Sequence, residues 1–339
     1  MPDLTAMPRR PNARADGLAE VGGERIDADR DPRTERQMVV VILNVKGGSV
    51  VGHDAETRDQ IVQAFVTHGI VAEVILSSGK TMAHIARDQV RRGAGVPSSI
   101  VAGGGDGTVR TIAQELAGGT VALGILPLGT LNHFARDLGL PLDIPGAVSV
   151  IAGGVTATVD AAEVNGRIFV NNSSIGFYPT MVRDRDRQIR QTRRAKWLAM
   201  ALALLHVLRR PIARRLTIEA ADLVTPHRTP FAFIGNNVYD TTLPALGRRA
   251  TLSGGELCLF VAKPRGRLGV LGLLLRAAFG RLDQAGDFEQ HRVKTVTVRS
   301  RHRHLTVALD GEICRLHTPL RYRIRPAALR VLVPPERQR

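Results

Sequence analysis

Gly103-Gly104-Gly105-Asp106-Gly107-Thr108 is the stretch of sequence on which the fold prediction depends. It follows the short apolar run SIVA and precedes a segment with helical spacing from about Val109, which predicts a strand, a glycine turn and a helix in succession. Glycines in such a turn let the backbone approach a ligand closely. The N–H groups at the start of the helix, aided by the helix dipole, form a site for an anion. For this stretch alone, a tight turn with an aspartate cap is the alternative interpretation.

A second glycine turn follows about twenty residues later, in PLGTLNHFARDLGLP at residues 127–141. It also comes after an apolar strand and opens a helix. Together the two stretches resemble the diacylglycerol kinase catalytic domain, a family that includes bacterial YegS-like lipid kinases and sphingosine kinases. NAD kinases and phosphofructokinases share only the GGDG part, so the second stretch is the one that distinguishes the lipid kinases.

The organisation outward from these turns predicts two domains. The pattern predicts alternating strands and helices from Met38 onward. The continuous apolar run MVVVILN predicts a strand of a parallel sheet that is covered on both faces. We expect a disordered leader at 1–36 and a doubly wound α/β nucleotide-binding domain at 37–155. A β-rich, sandwich-like lipid-acceptor domain at 156–325 and a C-terminal segment at 326–339 complete the chain. Asn165-Gly166 predicts a hairpin turn near the start of the second domain.

Two further stretches agree with the family resemblance. Residues 172–177, NSSIGF, resemble an element early in the family's second domain, and residues 309–312, LDGE, resemble its C-terminal DGE. The resemblance implies ATP and Mg²⁺ as cofactors and makes Glu312 the proton acceptor. Asp106 is the rival base, as argued for sphingosine kinases.

The resemblance also implies which residues hold the nucleotide, namely residues 44–48, residues 104–110 and Thr130. The candidates by position are Asn44, Lys46, Gly48, Ser77, Gly104, Gly105, Asp106, Gly107, Thr108, Thr130 and Asn132. A carboxylate inside an anion-binding loop is repulsive unless it meets a metal or a donor, so Asp106 is our candidate ligand for a Mg²⁺ carried on the phosphates.

The chain departs from the family pattern at two places. The family's first motif reads NPxSG, whereas residues 44–48 read NVKGG, which removes a proline and adds Lys46 as a potential phosphate contact. Bacterial members also carry an Asp-Gly pair that holds a structural Mg²⁺. Gly254 occupies that aspartate position here, so we do not expect this second metal site.

Charge is the strongest global feature of the 339-residue chain, with 47 Lys and Arg against 31 Asp and Glu and a net charge of +16. Such a field attracts polyanions, which include anionic lipid, nucleoside phosphates and nucleic acid. Genomic bias toward arginine is the other explanation of the charge. Because only 4% of residues are aromatic, a base-stacking surface is disfavoured and we expect no nucleic-acid partner.

Basic and apolar segments adjoin one another at residues 183–210 and 265–282, and a basic cluster follows at 299–304. The first two resemble interfacial membrane-binding elements, although a core position for most of each helix is the alternative. Two cysteines and no apolar stretch approaching about 20 residues favour a reducing compartment and a peripheral protein. We expect a cytoplasmic protein at the inner membrane with a lipid substrate and an anionic membrane surface as partners, and homodimer formation stays open.

Two rival functions remain at this point. One is a soluble-substrate kinase of the NAD kinase type, against which the PLGTLNHFARDLGLP stretch argues. The other is a basic nucleic-acid- or lipid-binding protein without turnover, which the charge allows and for which mutation of Asp106 or Glu312 would be silent.

Overall fold

The computed structural model describes residues 38–45, 54–92, 97–176, 214–220, 223–229, 231–239, 249, 251–262 and 288–337. Our expectations for the leader, for Lys46 and Gly48, and for the basic and apolar segments at 183–210 and 265–282 lie outside these residues. Within them, no helix has the length and apolar character needed to cross a membrane.

Strands and helices alternate through the first half of the chain. They are β1 Met38–Asn44, α1 Asp54–Val66, β2 Val71–Ser77, α2 Lys80–Val90, β3 Ser99–Gly104, α3 Asp106–Leu116, β4 Ala122–Pro127, α4 His133–Asp137 and α5 Ile144–Gly153. In the described residues, the second half is built from strands and ends in a short 3-10 helix at Pro335–Arg337. The strands are β5 Thr156–Val164, β6 Arg167–Phe169, β7 Asn172–Gly176, β8 Arg214–Ala220, β9 Leu223–Thr229, β10 Phe231–Asn236, β11 Leu257–Ala262, β12 Phe288–Val293, β13 Thr295–Ser300, β14 His304–Leu309, β15 Glu312–His317 and β16 Leu320–Leu332.

The N-terminal sheet is parallel, with the strand order β2-β1-β3-β4, and helices cover both of its faces. Val39 and Val41 of β1 pack in one buried cluster with α1 and α5, whereas Val40 and Ile42 pack in another with α2 and α3. This alternation follows from the two-residue period of a strand. The doubly wound prediction is confirmed.

Strand β16 joins the two halves into one mixed sheet of ten strands, because it pairs with β4 in parallel and with β5 and β13 antiparallel. Its register shifts between Arg325 and Leu329, where Ala327 has a positive φ of 51°. Residues 326–332, which the sequence assigned to a C-terminal segment, belong to β16, which pairs with β4 at Val331 and Leu123. An uncovered edge strand exposes unpaired backbone groups, which the pairing satisfies.

A second, antiparallel sheet of six strands has the order β12-β11-β10-β7-β14-β15. Its inward residues Ile175, Ile234 and Val307 share a buried cluster with Val296 and Tyr322 of the ten-stranded sheet. The sandwich-like second domain is thus confirmed. The predicted hairpin at Asn165-Gly166 is present too, since both residues have positive φ angles, 49° and 82°, between paired Val164 and Arg167.

Candidate active site at the carboxyl ends of the parallel strands

The two glycine turns touch each other through their backbones. A Cβ atom on Gly129 would lie 2.3 Å from the Cα of Gly105, and one on Gly105 would lie 3.2 Å from the Cα of Gly129. A Cβ atom on Gly104 would meet the Oγ1 atom of Thr108 at 2.4 Å. Side chains are therefore excluded where the ends of β3 and β4 meet, and the backbone of both turns forms one continuous surface.

Helix α3 begins at Asp106, three residues earlier than the sequence indicated. The helix starts earlier in the chain because Gly105 is the N-cap residue, with an extended backbone at φ of −90° and ψ of −173°. The Asp-Gly-Thr part of the motif is consequently the first helical turn rather than a loop. The N–H groups at the start of a helix lack the i−4 carbonyl partner that later ones have, which is the property that an anion site needs. Among them, the N–H of Thr108 donates to the Gly105 carbonyl at 2.9 Å.

Asn44, Ser77 and Thr108 extend this surface across the ends of β1 and β2. The Nδ2 atom of Asn44 donates to the Oγ1 atom of Thr108 at 2.9 Å, and Asn44 is paired with Ser77 in the β1–β2 register. Ser77 is buried, and its hydroxyl has no hydrogen-bond partner among the residues described. The sequence placed all three at the nucleotide, and the structure brings them to one edge.

Asp106 ties the first turn to the second. Its carboxylate accepts hydrogen bonds from the backbone N–H groups of His133 and Phe134, both at 3.1 Å, and from the Nδ2 atom of Asn171 at 3.1 Å. A carboxylate offers about four lone-pair positions, so these three bonds leave one. In the described ranges no group of three His, Cys, Asp or Glu side chains is arranged to hold a metal ion.

Asn132 shapes the second turn from within. It has a left-handed backbone, with φ of 51°, and its Nδ2 atom donates to the carbonyls of Pro127 at 2.9 Å and Gly129 at 2.8 Å. Its Oδ1 atom accepts from the N–H of Gly129 at 3.0 Å. These three bonds engage the amide of Asn132 and leave the neighbouring Thr130 exposed at the tip of the turn.

A tight hairpin turn brings Glu312 from the second domain to this surface. Asp310 and Gly311 both have positive φ angles, 48° and 83°, and connect the paired residues Leu309 and Glu312. Because the Cβ atom of any other residue at Gly107 would lie 2.2 Å from the Oε1 atom of Glu312, the carboxylate rests directly on the first turn of α3. Arg110, one turn further along α3, forms an ion pair with it.

Asp310 anchors that hairpin to the segment that links the two sheets. Its buried carboxylate accepts the backbone N–H groups of Val170 at 2.8 Å, Asn171 at 2.8 Å and Asn172 at 3.0 Å. Burial raises the pKa of Asp310 to about 6, because removal from water disfavours the charged form, while the N–H donors and Arg110 oppose the rise. The position of Glu312 is thus fixed relative to residues 170–172.

Arg249 also binds this linking segment, residues 170–172, through its side chain. Its side chain is fully buried and donates to Asp137 Oδ2 from Nε at 2.8 Å, to the Val170 carbonyl at 2.6 Å and to Asn171 Oδ1 at 2.9 Å. The guanidinium also lies over the ring of Phe134, 5.8 Å from its centroid. Helix α4, the linking segment and, through Asn171, Asp106 are therefore connected by one buried polar network.

The family resemblance placed Arg110 at the nucleotide and did not predict its contact with Glu312, and sequence reasoning missed Asn171, Arg249 and Asp310. Asp310-Gly311 does carry a local signal, because this dipeptide favours a hairpin turn with two positive φ angles. Nothing in the sequence around Arg249 marks it as buried, since isolated arginines are usually exposed.

Comparison with known proteins agrees with this architecture. The diacylglycerol kinase catalytic domain model matches residues 38–164, and the YegS C-terminal NAD kinase beta sandwich-like domain model matches residues 174–333. A probable lipid kinase YegS-like of Pseudomonas aeruginosa is 33% identical over 243 residues, which are 70% of this chain and 77% of the relative. A diacylglycerol kinase of Mycobacterium tuberculosis is 30% identical over 272 residues, or 78% of this chain and 85% of the relative.

Solved structures extend the likeness at the level of the fold. A diacylglycerol kinase from Bacillus anthracis str. Sterne superposes with a TM-score of 0.65 at 21% identity, covering 89% of this chain and 99% of the other. A diacylglycerol kinase catalytic domain followed by a YegS C-terminal sandwich domain, with relatives of 30% and 33% identity, places the chain in the class of diacylglycerol-kinase-like kinases. Within that class, the chain belongs to the YegS-like and diacylglycerol kinase family of lipid kinases.

Proposed function

We propose that this protein transfers the γ-phosphoryl group of ATP to a hydroxyl group of a diacylglycerol-like lipid, with Glu312 as the general base. The observation that carries the proposal is the contact between Glu312 and Gly107. It puts a carboxylate with a half-exposed side chain beside the helix start that suits a phosphate. A base has to lie within hydrogen-bond reach of the hydroxyl that it deprotonates.

The residues at the strand ends fit a nucleoside triphosphate. Gly104, Gly105 and Gly129 let the two turns pack closely, because a Cβ atom at any of them would crowd Thr108 or the facing turn. Glycine turns of this kind let a phosphate approach backbone N–H groups. The buried Ser77 hydroxyl, which has no partner among the described residues, would gain one from the nucleotide. Lys46 and Gly48 stay predictions from the family resemblance.

Asp106 can provide one ligand to a Mg²⁺ ion. One acceptor position of its carboxylate is left beside the three hydrogen bonds that it accepts. Because Mg²⁺ usually keeps several waters and takes one or two carboxylates plus phosphate oxygens, one such position is compatible with it. When bound, the ion would neutralise charge on the phosphates.

In the proposed mechanism, Glu312 accepts the proton of the lipid hydroxyl as that oxygen attacks the γ-phosphorus. The new bond joins the lipid oxygen to phosphorus, the bond to the β,γ-bridging oxygen breaks, and ADP leaves with the electron pair. The N–H groups at the start of α3 would stabilise charge on the phosphates. Water must be excluded, because it would otherwise compete as the acceptor.

The lipid acceptor is proposed from the family and from charge. The Mycobacterium tuberculosis relative is named a diacylglycerol kinase, and the Pseudomonas aeruginosa relative a probable lipid kinase. A net charge of +16 suits work at an anionic membrane surface, which we propose to be the inner face of the membrane.

Transfer of radioactive phosphate from γ-labelled ATP to a total bacterial lipid extract in mixed micelles tests this function. We expect one class of labelled lipid, which mass spectrometry of the extracted product then identifies. Label that appears only in a water-soluble product would instead support the NAD kinase type of acceptor, and label in neither fraction would overturn the kinase proposal for this chain.

Two glycine substitutions are expected to separate activity from stability. In Gly107→Ala the added methyl group meets the flexible end of Glu312, so the carboxylate moves aside and lipid phosphorylation falls at least about tenfold with the melting temperature nearly unchanged. In Gly129→Ala the methyl group meets the backbone of Gly105, which cannot give way cheaply, so the melting temperature itself should fall. Thermal unfolding and initial rates of the two variants check this contrast, and equal melting temperatures would contradict it.

A further inference from the structure

Arg110 lies between the first turn of α3 and the hairpin that carries Glu312. Its side chain is 15% exposed, and its Nη2 atom donates to the Oε2 atom of Glu312. Its positive charge also reaches the neighbouring Asp310 and Cys314, since it opposes the rise of the pKa of both groups. A mostly buried guanidinium is thus committed to the hairpin of the second domain from a helix of the first.

The backbone of Glu312 is fixed by its neighbours, whereas its exposed side chain needs a partner to confine it to one rotamer. The turn before it is anchored through Asp310, but the Glu312 side chain is 54% exposed at the start of β15. An exposed glutamate loses much conformational entropy when it is confined to one rotamer. Within the described part of the chain, the Glu312 carboxylate accepts a hydrogen bond from Arg110.

The benefit of this ion pair for catalysis is geometric. A base works only when its oxygen lies within hydrogen-bond reach of the acceptor hydroxyl, and small displacements reduce rates strongly.

We propose that Arg110 is a positioning residue that holds the Glu312 carboxylate against Gly107 so that it faces the lipid hydroxyl. This inference rests on the proposed function, in which Glu312 is the base. In this proposal Arg110 acts through Glu312, whereas the family resemblance placed residues 104–110 at the nucleotide.

The competing role for Arg110 is direct contact with a phosphate group. Its Nε atom is buried without a hydrogen-bond partner in the described part of the chain, so a donor remains for such a contact. The two roles differ in how Arg110 and Glu312 depend on each other. A residue that acts through the base loses its effect once the base is removed, whereas a residue that binds phosphate keeps it.

A double-mutant cycle on lipid phosphorylation tests the proposal, with γ-labelled ATP and the total lipid extract in mixed micelles. Arg110→Met is expected to lower kcat about 100-fold with the KM for ATP within about twofold of the wild-type value. Arg110→Lys, which retains the charge, should stay within about tenfold of wild type. In the Glu312→Gln background, Arg110→Met should cost less than about threefold more.

Arg87→Met is the matched control. Arg87 lies on α2 and forms a two-bond ion pair with Glu115, which lies on α3 as Arg110 does, at 2.9 Å for each bond. It should keep activity within about twofold of wild type. An effect of Arg110→Met that multiplies with that of Glu312→Gln, or that appears mainly in the KM for ATP, would overturn the positioning role and favour phosphate contact. Wild-type activity in Arg110→Met would also overturn it. Wild-type protein that labels no lipid would instead overturn the proposed function.

Discussion

Glu312→Gln is expected to lower kcat for lipid phosphorylation by about 1000-fold while the protein stays folded. Glutamine has the same shape and can still contact Arg110, but it cannot accept the proton of the acceptor hydroxyl, and a general base contributes about 10²- to 10⁴-fold. Stability should change little, because the Glu312 side chain is 54% exposed. Initial rates with γ-labelled ATP and thermal unfolding of the same samples provide the two measurements.

Glu219→Gln is the control for the loss of a glutamate that pairs with an arginine. Glu219 accepts a hydrogen bond from Arg299 Nε at 2.6 Å, between β8 and β13 of the ten-stranded sheet. Its replacement should leave kcat within about twofold of wild type. If Glu312→Gln kept the wild-type rate, Glu312 would be eliminated as the base and Asp106 would be the carboxylate to test next.

Arg249→Met is expected to destabilise the protein by about 3–5 kcal/mol. The substitution leaves the mostly buried carboxylate of Asp137 without its cation and removes the donors to the Val170 carbonyl and Asn171. Breaking a buried pair from one side is costly because the remaining charge stays buried. Urea unfolding followed by fluorescence or circular dichroism measures the loss.

The double variant Arg249→Met with Asp137→Leu keeps this prediction testable if the single variant fails to fold. Removing both charges should recover a large part of the stability, because no unpaired charge is left. Arg323→Met is the control, since Arg323 is 59% exposed and its partner Glu163, at 2.9 Å, keeps a second cation in Arg325 at 3.5 Å. Its loss should cost less than about 1 kcal/mol. An Arg249→Met protein as stable as wild type would show that the buried network contributes little.

The local elements of the site were predictable because each depends on a few neighbouring residues. The strand, glycine turn and helix at residues 99–116 and the hairpin at Asn165-Gly166 were found from their sequences. The start of α3 was placed three residues late, since the sequence reading treated the Asp-Gly-Thr segment as loop, whereas it is the first helical turn. Helix boundaries commonly vary by a residue or two, but here the shift matters because it turns Asp106 into a helical residue.

The contacts that assemble the site join residues far apart in the chain. Arg110 and Glu312 are 202 positions apart, and Asp106 and Asn171 are 65 positions apart. Likewise, the pairing of β16 with β4 depends on a strand from the end of the chain reaching an edge formed near residue 123. Short-range patterns carry no information about which of many distant partners will meet.

The amino-acid order alone determined that a strand, a turn and a helix follow one another at each glycine turn, because backbone preferences of glycine, asparagine and aspartate act within a few residues. It also contains the motifs by which the family was identified. Tertiary structure alone decided that Glu312 rests on Gly107 beside Arg110, and that Arg249 is buried between α4 and the linking segment. These contacts follow from sheet register and from the burial of polar groups that must find partners, which only the packed chain provides.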